Sequence, residues 1–177
     1  MWIKFGRENP ADPLPPARGR EFRNKFMDKN YRANASQFFV AGELCRRGLV
    51  AVVTMGNSPN TDILCSNIEG TKFVHIQVKT FRPGDKTCSV GEKAEKDYGE
   101  NFYWILAGIP TAEQKNEFQY YIIPAKEMAK NTKETHKIWK DTPGRNGRQH
   151  DQHTKFRTVD LPSVASLKRH PWEIWDV

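Results

Sequence analysis

A chain of 177 residues with 37% hydrophobic and 28% charged side chains is long enough for one domain with a core, and polar enough to leave part of its length at the surface. No apolar run approaches a membrane span, and the opening "MWIKFGRENPADPLPPARGR" has no apolar signal core, so neither a membrane nor a secretory protein is expected. The formal charge of +7 is unevenly spread: residues 1–34 and 130–170 are basic, 35–129 nearly neutral and the last seven acidic, which points to a polyanion partner, nucleic acid above all.

Residues 1–34, with four prolines between positions 10 and 16, read as a basic arm. "NASQFFVAGELCRRG" reads as a helix, capped by Asn34 or Ser36 and ended by Gly48. Gln37, Val40, Ala41 and Leu44 recur on one face. "LVAVVTM" is a β-branched run and reads as a buried strand. "DILCS" and "FVHIQVKT" follow as two strands around "NIEGTK", then "NFYWILAGI" and "FQYYIIP". "AKEMAKNTKETHKIWK" is helical after its proline, and "DTPGRNGRQHDQHTKF" is a basic loop. That order implies an α/β fold, a mixed central sheet of about five strands flanked by helices. The expected organisation is an arm over 1–34, an α/β core over 35–130 and a basic extension over 131–177 packed on the core.

The three cysteines, Cys45, Cys65 and Cys88, have no metal-type spacing and cannot all pair, so a reducing cytoplasm is expected. His136, His150 and His153 with Asp151 do not form a zinc pattern. In "TPGRNGRQH" the glycines Gly144 and Gly147 free backbone amides to face an anion, and Arg145, Arg148 and His150 add polar contacts; phosphate contact and a plain basic surface loop are equally good readings. Phe102, Tyr103, Trp104, Tyr120 and Tyr121 read as core, and Trp139, Trp172 and Trp175 as pins for the C-terminal segment.

The hairpin poses the chemical question. A turn centred on Glu69-Gly70 sets Asp62 opposite Gln77, and directly opposed residues share a sheet face. Lys79 lies two positions on and faces the same way, with His75 on that side too, whereas Val74, Ile76 and Val78 face the other. One face is core; the other gathers an acid, an amide and a lysine. An ion pair between Asp62 and Lys79 is the plain structural account.

With "SPNTD" and "IQVK" in this order, residues 35–108 resemble the PD-(D/E)XK nuclease superfamily, in its restriction-endonuclease-like, Holliday-junction-resolvase-like branch. The resemblance implies a restriction-endonuclease-like core and a metal-dependent nuclease that hydrolyses DNA phosphodiester bonds in repair, recombination or defence. It implies Asp62, Gln77 and Lys79 as catalytic residues. Asp62, the Gln77 amide oxygen and the Val78 carbonyl would hold magnesium or manganese. Two departures stand against it. Gln77 replaces the usual acid, and the helix position that usually bears Glu is Gln37, with Glu43 about 120° around the helix. These departures support the alternative, a catalytically inactive nuclease-fold module that binds nucleic acid or a protein. DNA versus RNA and a homodimer both stay open.

Overall fold

In the computed structural model, residues 29–55, 58–112 and 114–165 are described, without the side chains of 29, 145, 163 and 165. A five-stranded mixed sheet lies between helices. Helix α1 (Lys29–Arg46) leads to β1 (Val50–Val53), β2 (Ile63–Ser66) and β3 (Phe73–Phe81). Then come β4 (Thr87–Ser89), a 3-10 turn (Glu92–Glu95), β5 (Phe102–Gly108), β6 (Gln119–Pro124), α2 (Ala125–Asp141), β7 (Thr158–Asp160) and the short α3 (Leu161–Ala165). The strand order is β1-β2-β3-β5-β6, parallel between β3 and β5 and antiparallel elsewhere, and β4 pairs with β7 in a separate two-stranded ribbon.

Helix α1 is longer than the sequence implies. It runs across position 34, so Asn34 and Ser36 are interior residues and neither caps it. Ser36 is fully buried and donates from Oγ to the Ala33 carbonyl at 2.7 Å, as helical serines do when their hydroxyl turns back on the preceding turn. The C-terminus does follow its glycine. Gly48 takes φ +85°, and the bonds Gly48 N–H to Cys45 O (3.0 Å) and Leu49 N–H to Leu44 O (3.2 Å) close the helix end. Val40, Ala41 and Leu44 pack on Ile63, Cys65, Val74, Ile76 and Val78 from one face of the sheet.

The opposite face carries a second core. Phe81, Trp104 and Leu106 of the sheet meet Met128 of α2, Cys88 of β4 and Val159 of β7. The parallel β3–β5 step needs a crossover, and residues 82–101 supply it. Burial keeps the thiols of Cys65 and Cys88 protonated, with pKa values pushed up to about 11 and about 12. Helix α2 spans position 130 unbroken, and β7 completes the β4 ribbon, so residues 131–160 are built into the body.

Two sequence expectations change. "LVAVVTM" is an edge strand, with Val50 46% and Val52 57% exposed, because β2 covers only one of its sides. The β2–β3 register holds, Ile63 opposite Ile76 and Cys65 opposite Val74, but the turn is broader than two residues. Gly70 N–H bonds Asn67 O, and the Asn67 side chain accepts from the amides of Thr71 and Lys72. The loop stays symmetric about Glu69-Gly70, which is why the register survives. The expectations for residues 1–28 and for Trp172 and Trp175 lie outside the described residues. No helix among the described residues is long and apolar enough to cross a membrane.

Candidate active-site cleft

Asp62 immediately precedes β2, and its backbone is held on both sides. Its N–H donates to Ile76 O at 2.8 Å and its carbonyl accepts from Thr54 N–H at 2.9 Å. The β2–β3 ladder starts at Ile63, so the next inward β3 amide needs another acceptor. The Asp62 carboxylate provides it: Oδ2 accepts from Val78 N–H at 2.7 Å and from Gln77 Nε2. Among the described residues, neither Asp62 Oδ1 nor Gln77 Oε1 accepts a hydrogen bond. The carbonyl of Val78 faces the same side of β3 as its N–H, because both groups of one strand residue point one way.

Burial raises the Asp62 pKa above its ordinary value. The Val78 N–H, the Lys79 charge and the Gln77 amide oppose the shift without cancelling it.

These groups share one cleft of ≈ 590 Å³. Asp62, Gln77, Val78 and Lys79 line it from the sheet, and Arg32, Ala33 and Gln37 line it from α1. Arg82 and Asp85 come from the turn after β3, and Ser89–Gly91 close the far side. Ser36 and Thr80 join hydroxyls at 2.6 Å, which fixes α1 against the strand beside Lys79. The far wall depends on the C-terminal part of the chain. Arg157 O accepts from Val90 N–H at 3.0 Å, and the buried Arg157 side chain pairs with Glu95 and with Thr154 O.

The donor set suits a hard divalent cation. Asp62 Oδ1, Gln77 Oε1 and the Val78 carbonyl are oxygens without competing donors among the described residues, and magnesium accepts such ligands while keeping several waters. Among the described residues, Asp62 and Asp85 are the carboxylates that line the cleft, and no group of three His, Cys, Asp or Glu side chains could hold a metal. Asp85 is partly engaged, since its Oδ2 accepts from Arg82 N–H at 2.9 Å.

The other sequence-derived residues fall elsewhere. Glu43 lies in a different groove with Phe38, Phe39, Arg46, Arg47 and Phe118, and cannot serve as the helix carboxylate of the cleft. It is bound by Arg46 and Arg47 at 2.7 and 2.8 Å, which hold its pKa down to about 2. Gln37 does face the cleft.

The 142–150 loop is no open anion nest, because its glycine amides are used internally, Gly144 N–H on Arg148 O and Gly147 N–H on Gly144 O. His150 stacks on Trp139 at 3.9 Å, so Trp139 pins this loop and the His150 ring is turned to packing. Arg148 is exposed, and the Arg145 side chain lies outside the described set. His75 sits on the Gln77 face, exposed, with Nδ1 3.2 Å from Thr61 Oγ1. Sequence reasoning missed Arg32, which it assigned to an arm, and Asp85, which looks like any turn aspartate in "RPGD".

No protein-family model matches the chain, and no curated protein matches it. Among solved structures, the Holliday junction resolvase Hjc of the archaeal hyperthermophile Archaeoglobus fulgidus is similar over 76% of this chain and 88% of its own, with a TM-score of 0.44 and 16% identity. Similarity at that level carries no assignment of activity.

Proposed function

We propose that this protein is a metal-dependent nuclease that hydrolyses DNA phosphodiester bonds. The observation that carries the reading is the convergence on one cleft of Asp62, just before β2, with Gln77 and Lys79 of the adjacent antiparallel β3, where among the described residues three lining cations face two carboxylates. Such a cleft favours a phosphodiester, which brings its own negative charge.

Asp62 Oδ1, Gln77 Oε1 and the Val78 carbonyl would hold magnesium or manganese. A bound divalent ion supplies an activated water and neutralises charge developing at phosphorus. Lys79 Nζ orients the attacking water and offsets negative charge on the phosphoryl oxygens. Gln37 and Gln77 offer further hydrogen bonds to the water shell. Val78 N–H and Gln77 Nε2 fix the carboxylate, so that Asp62 presents Oδ1 without reorganising.

One observation favours a second reading, a nucleic-acid-binding module without catalysis. Gln77, an uncharged side chain, satisfies Asp62 Oδ2 by a hydrogen bond without a metal, where an acid in its place would repel the Asp62 carboxylate. The two readings separate in a cleavage assay on linear, single-stranded and branched DNA across a manganese titration. Cutting by the wild type that disappears in Asp62→Ala and Lys79→Ala, with DNA binding retained, supports the nuclease. No cutting by the wild type or by Gln77→Glu, with binding intact, selects the binding module.

A further inference from the structure

We infer that Arg32 is the phosphate anchor of this cleft, gripping the phosphodiester next to the one at Lys79. The inference rests on the reading of the cleft as a nucleic-acid site and assigns the contact that sets the register of the strand.

Three observations converge on Arg32. It lines the same cleft as Lys79 and Arg82. Its Nε is buried without a hydrogen-bond partner among the described residues. A buried, unpaired donor is costly, and native structures keep few of them, so an outside acceptor is the natural completion. Arg32 also sits one helical turn before Ser36, on the same face of α1, and Ser36 is locked to Thr80 of β3 by the 2.6 Å hydroxyl contact. The backbone that carries Arg32 is thereby fixed relative to Lys79.

The chemistry of the ligand follows from the guanidinium. Nε–H and one Nη–H form a planar fork that matches two oxygens of a phosphate, and the fork has no lysine equivalent. Among the described residues the cleft has two carboxylates, and each has one oxygen taken by the protein itself, Asp62 Oδ2 by Val78 and Gln77, and Asp85 Oδ2 by the Arg82 amide. Arg32 pairs with neither in any hydrogen bond or ion pair among the described residues. Along β3, Lys79 lies between Val78, which bonds Asp62, and Thr80, which bonds Ser36 on the Arg32 face of α1. A strand whose reacting phosphate lies at Asp62 and Lys79 therefore passes its neighbouring phosphate to Arg32.

The test uses the full chain carrying Asp62→Ala, so that DNA is bound and not cut, and follows a labelled oligonucleotide by fluorescence anisotropy over a salt series. Adding Arg32→Gln should weaken binding about tenfold near 0.1 M salt and lower the salt slope by about 1, the signature of one lost phosphate contact. Arg32→Lys should keep most of the slope and bind a few-fold more weakly than arginine, because charge survives and the fork does not. Arg46→Ala, which removes a charge outside the cleft, should leave the slope nearly unchanged. Melting temperatures of all variants check folding, and Arg32→Lys keeps the test open if Arg32→Gln melts early.

An unchanged slope in Arg32→Gln overturns the anchor while leaving wild-type cleavage free to support the nuclease. An equal loss in Arg46→Ala overturns it too, since net charge alone would then explain the effect. Loss of binding on Arg32→Gln in a protein that never cuts keeps the anchor and removes the nuclease. A parent chain that binds no DNA at low salt removes both.

Discussion

Gln77 donates through Nε2 to Oδ2 of Asp62, and Val78 N–H reaches the same oxygen at 2.7 Å. One carboxylate oxygen is thus occupied by the protein and its twin is left facing the cleft. The pair divides Asp62 into a bonded half and an open half.

Asp62 carries a stability cost that can be measured. Its folded pKa is raised above the ordinary 3.8, mainly by burial, so the unfolded chain releases this proton first as pH rises. Stability contributed at acid pH is therefore lost as pH rises from the ordinary value through the raised one. Asp62→Asn removes the ionisation and should melt about 2 °C higher at neutral pH, with the difference vanishing below the carboxylate range. A scan of melting temperature against pH decides it, and an Asn variant that melts lower at pH 7 contradicts the burial account.

Gln77→Glu sets a second carboxylate beside Asp62. Without metal the two charges repel and the variant should melt below the wild type. With magnesium the order should reverse, because an ion that binds only the folded state stabilises it according to its affinity. Thermal shift against magnesium concentration reads this without any substrate. Equal shifts in the two proteins would mean that position 77 does not face the ion.

Ser36→Ala deletes a fully buried hydroxyl and strands Thr80 Oγ1. The loss should cost about 1–2 kcal/mol, a drop of about 2–6 °C in melting temperature for a chain of this size. DNA affinity should fall as well, since the Arg32 end of α1 is no longer fixed to β3. A melting temperature within error of the wild type would show the hydroxyl pair to be dispensable.

Gly108→Ala tests the floor of the cleft. A Cβ at Gly108 would lie 2.6 Å from Cζ of Phe81, its register partner on β3, so the ring must move. Phe81 is buried and lines the cleft, which leaves the ring little room to yield. The variant should lose about 1–3 kcal/mol by overpacking and weaken ligand binding with it. Denaturant unfolding gives the first figure and anisotropy the second.

The sequence was most legible where period and pairing agree. Alternation in "FVHIQVKT" and the symmetric turn placed Asp62, Gln77 and Lys79 on one face, and the broader loop did not disturb that because it kept its centre. Val50 and Val52 misled, because β-branched residues mark a strand without telling edge from centre. β4 and β7 are three residues each with one buried side chain apiece, Cys88 and Val159, too short for any period to show. Arg32 was hidden by composition, since a basic stretch beside prolines reads as arm until the helix is seen to take in Arg32.

The bond from Val90 N–H to Arg157 O joins the cleft wall to a residue late in the chain. Synthesis runs from the N-terminus, and the sheet strands that carry Asp62, Gln77 and Lys79 leave the ribosome long before Arg157 does. Until that residue arrives, the wall at Ser89–Gly91 lacks its backing strand and the Arg157–Glu95 pair that ties it down. Cleft assembly therefore waits for β7, and a polypeptide cut short before β7 carries Asp62, Gln77 and Lys79 without the finished wall beside them.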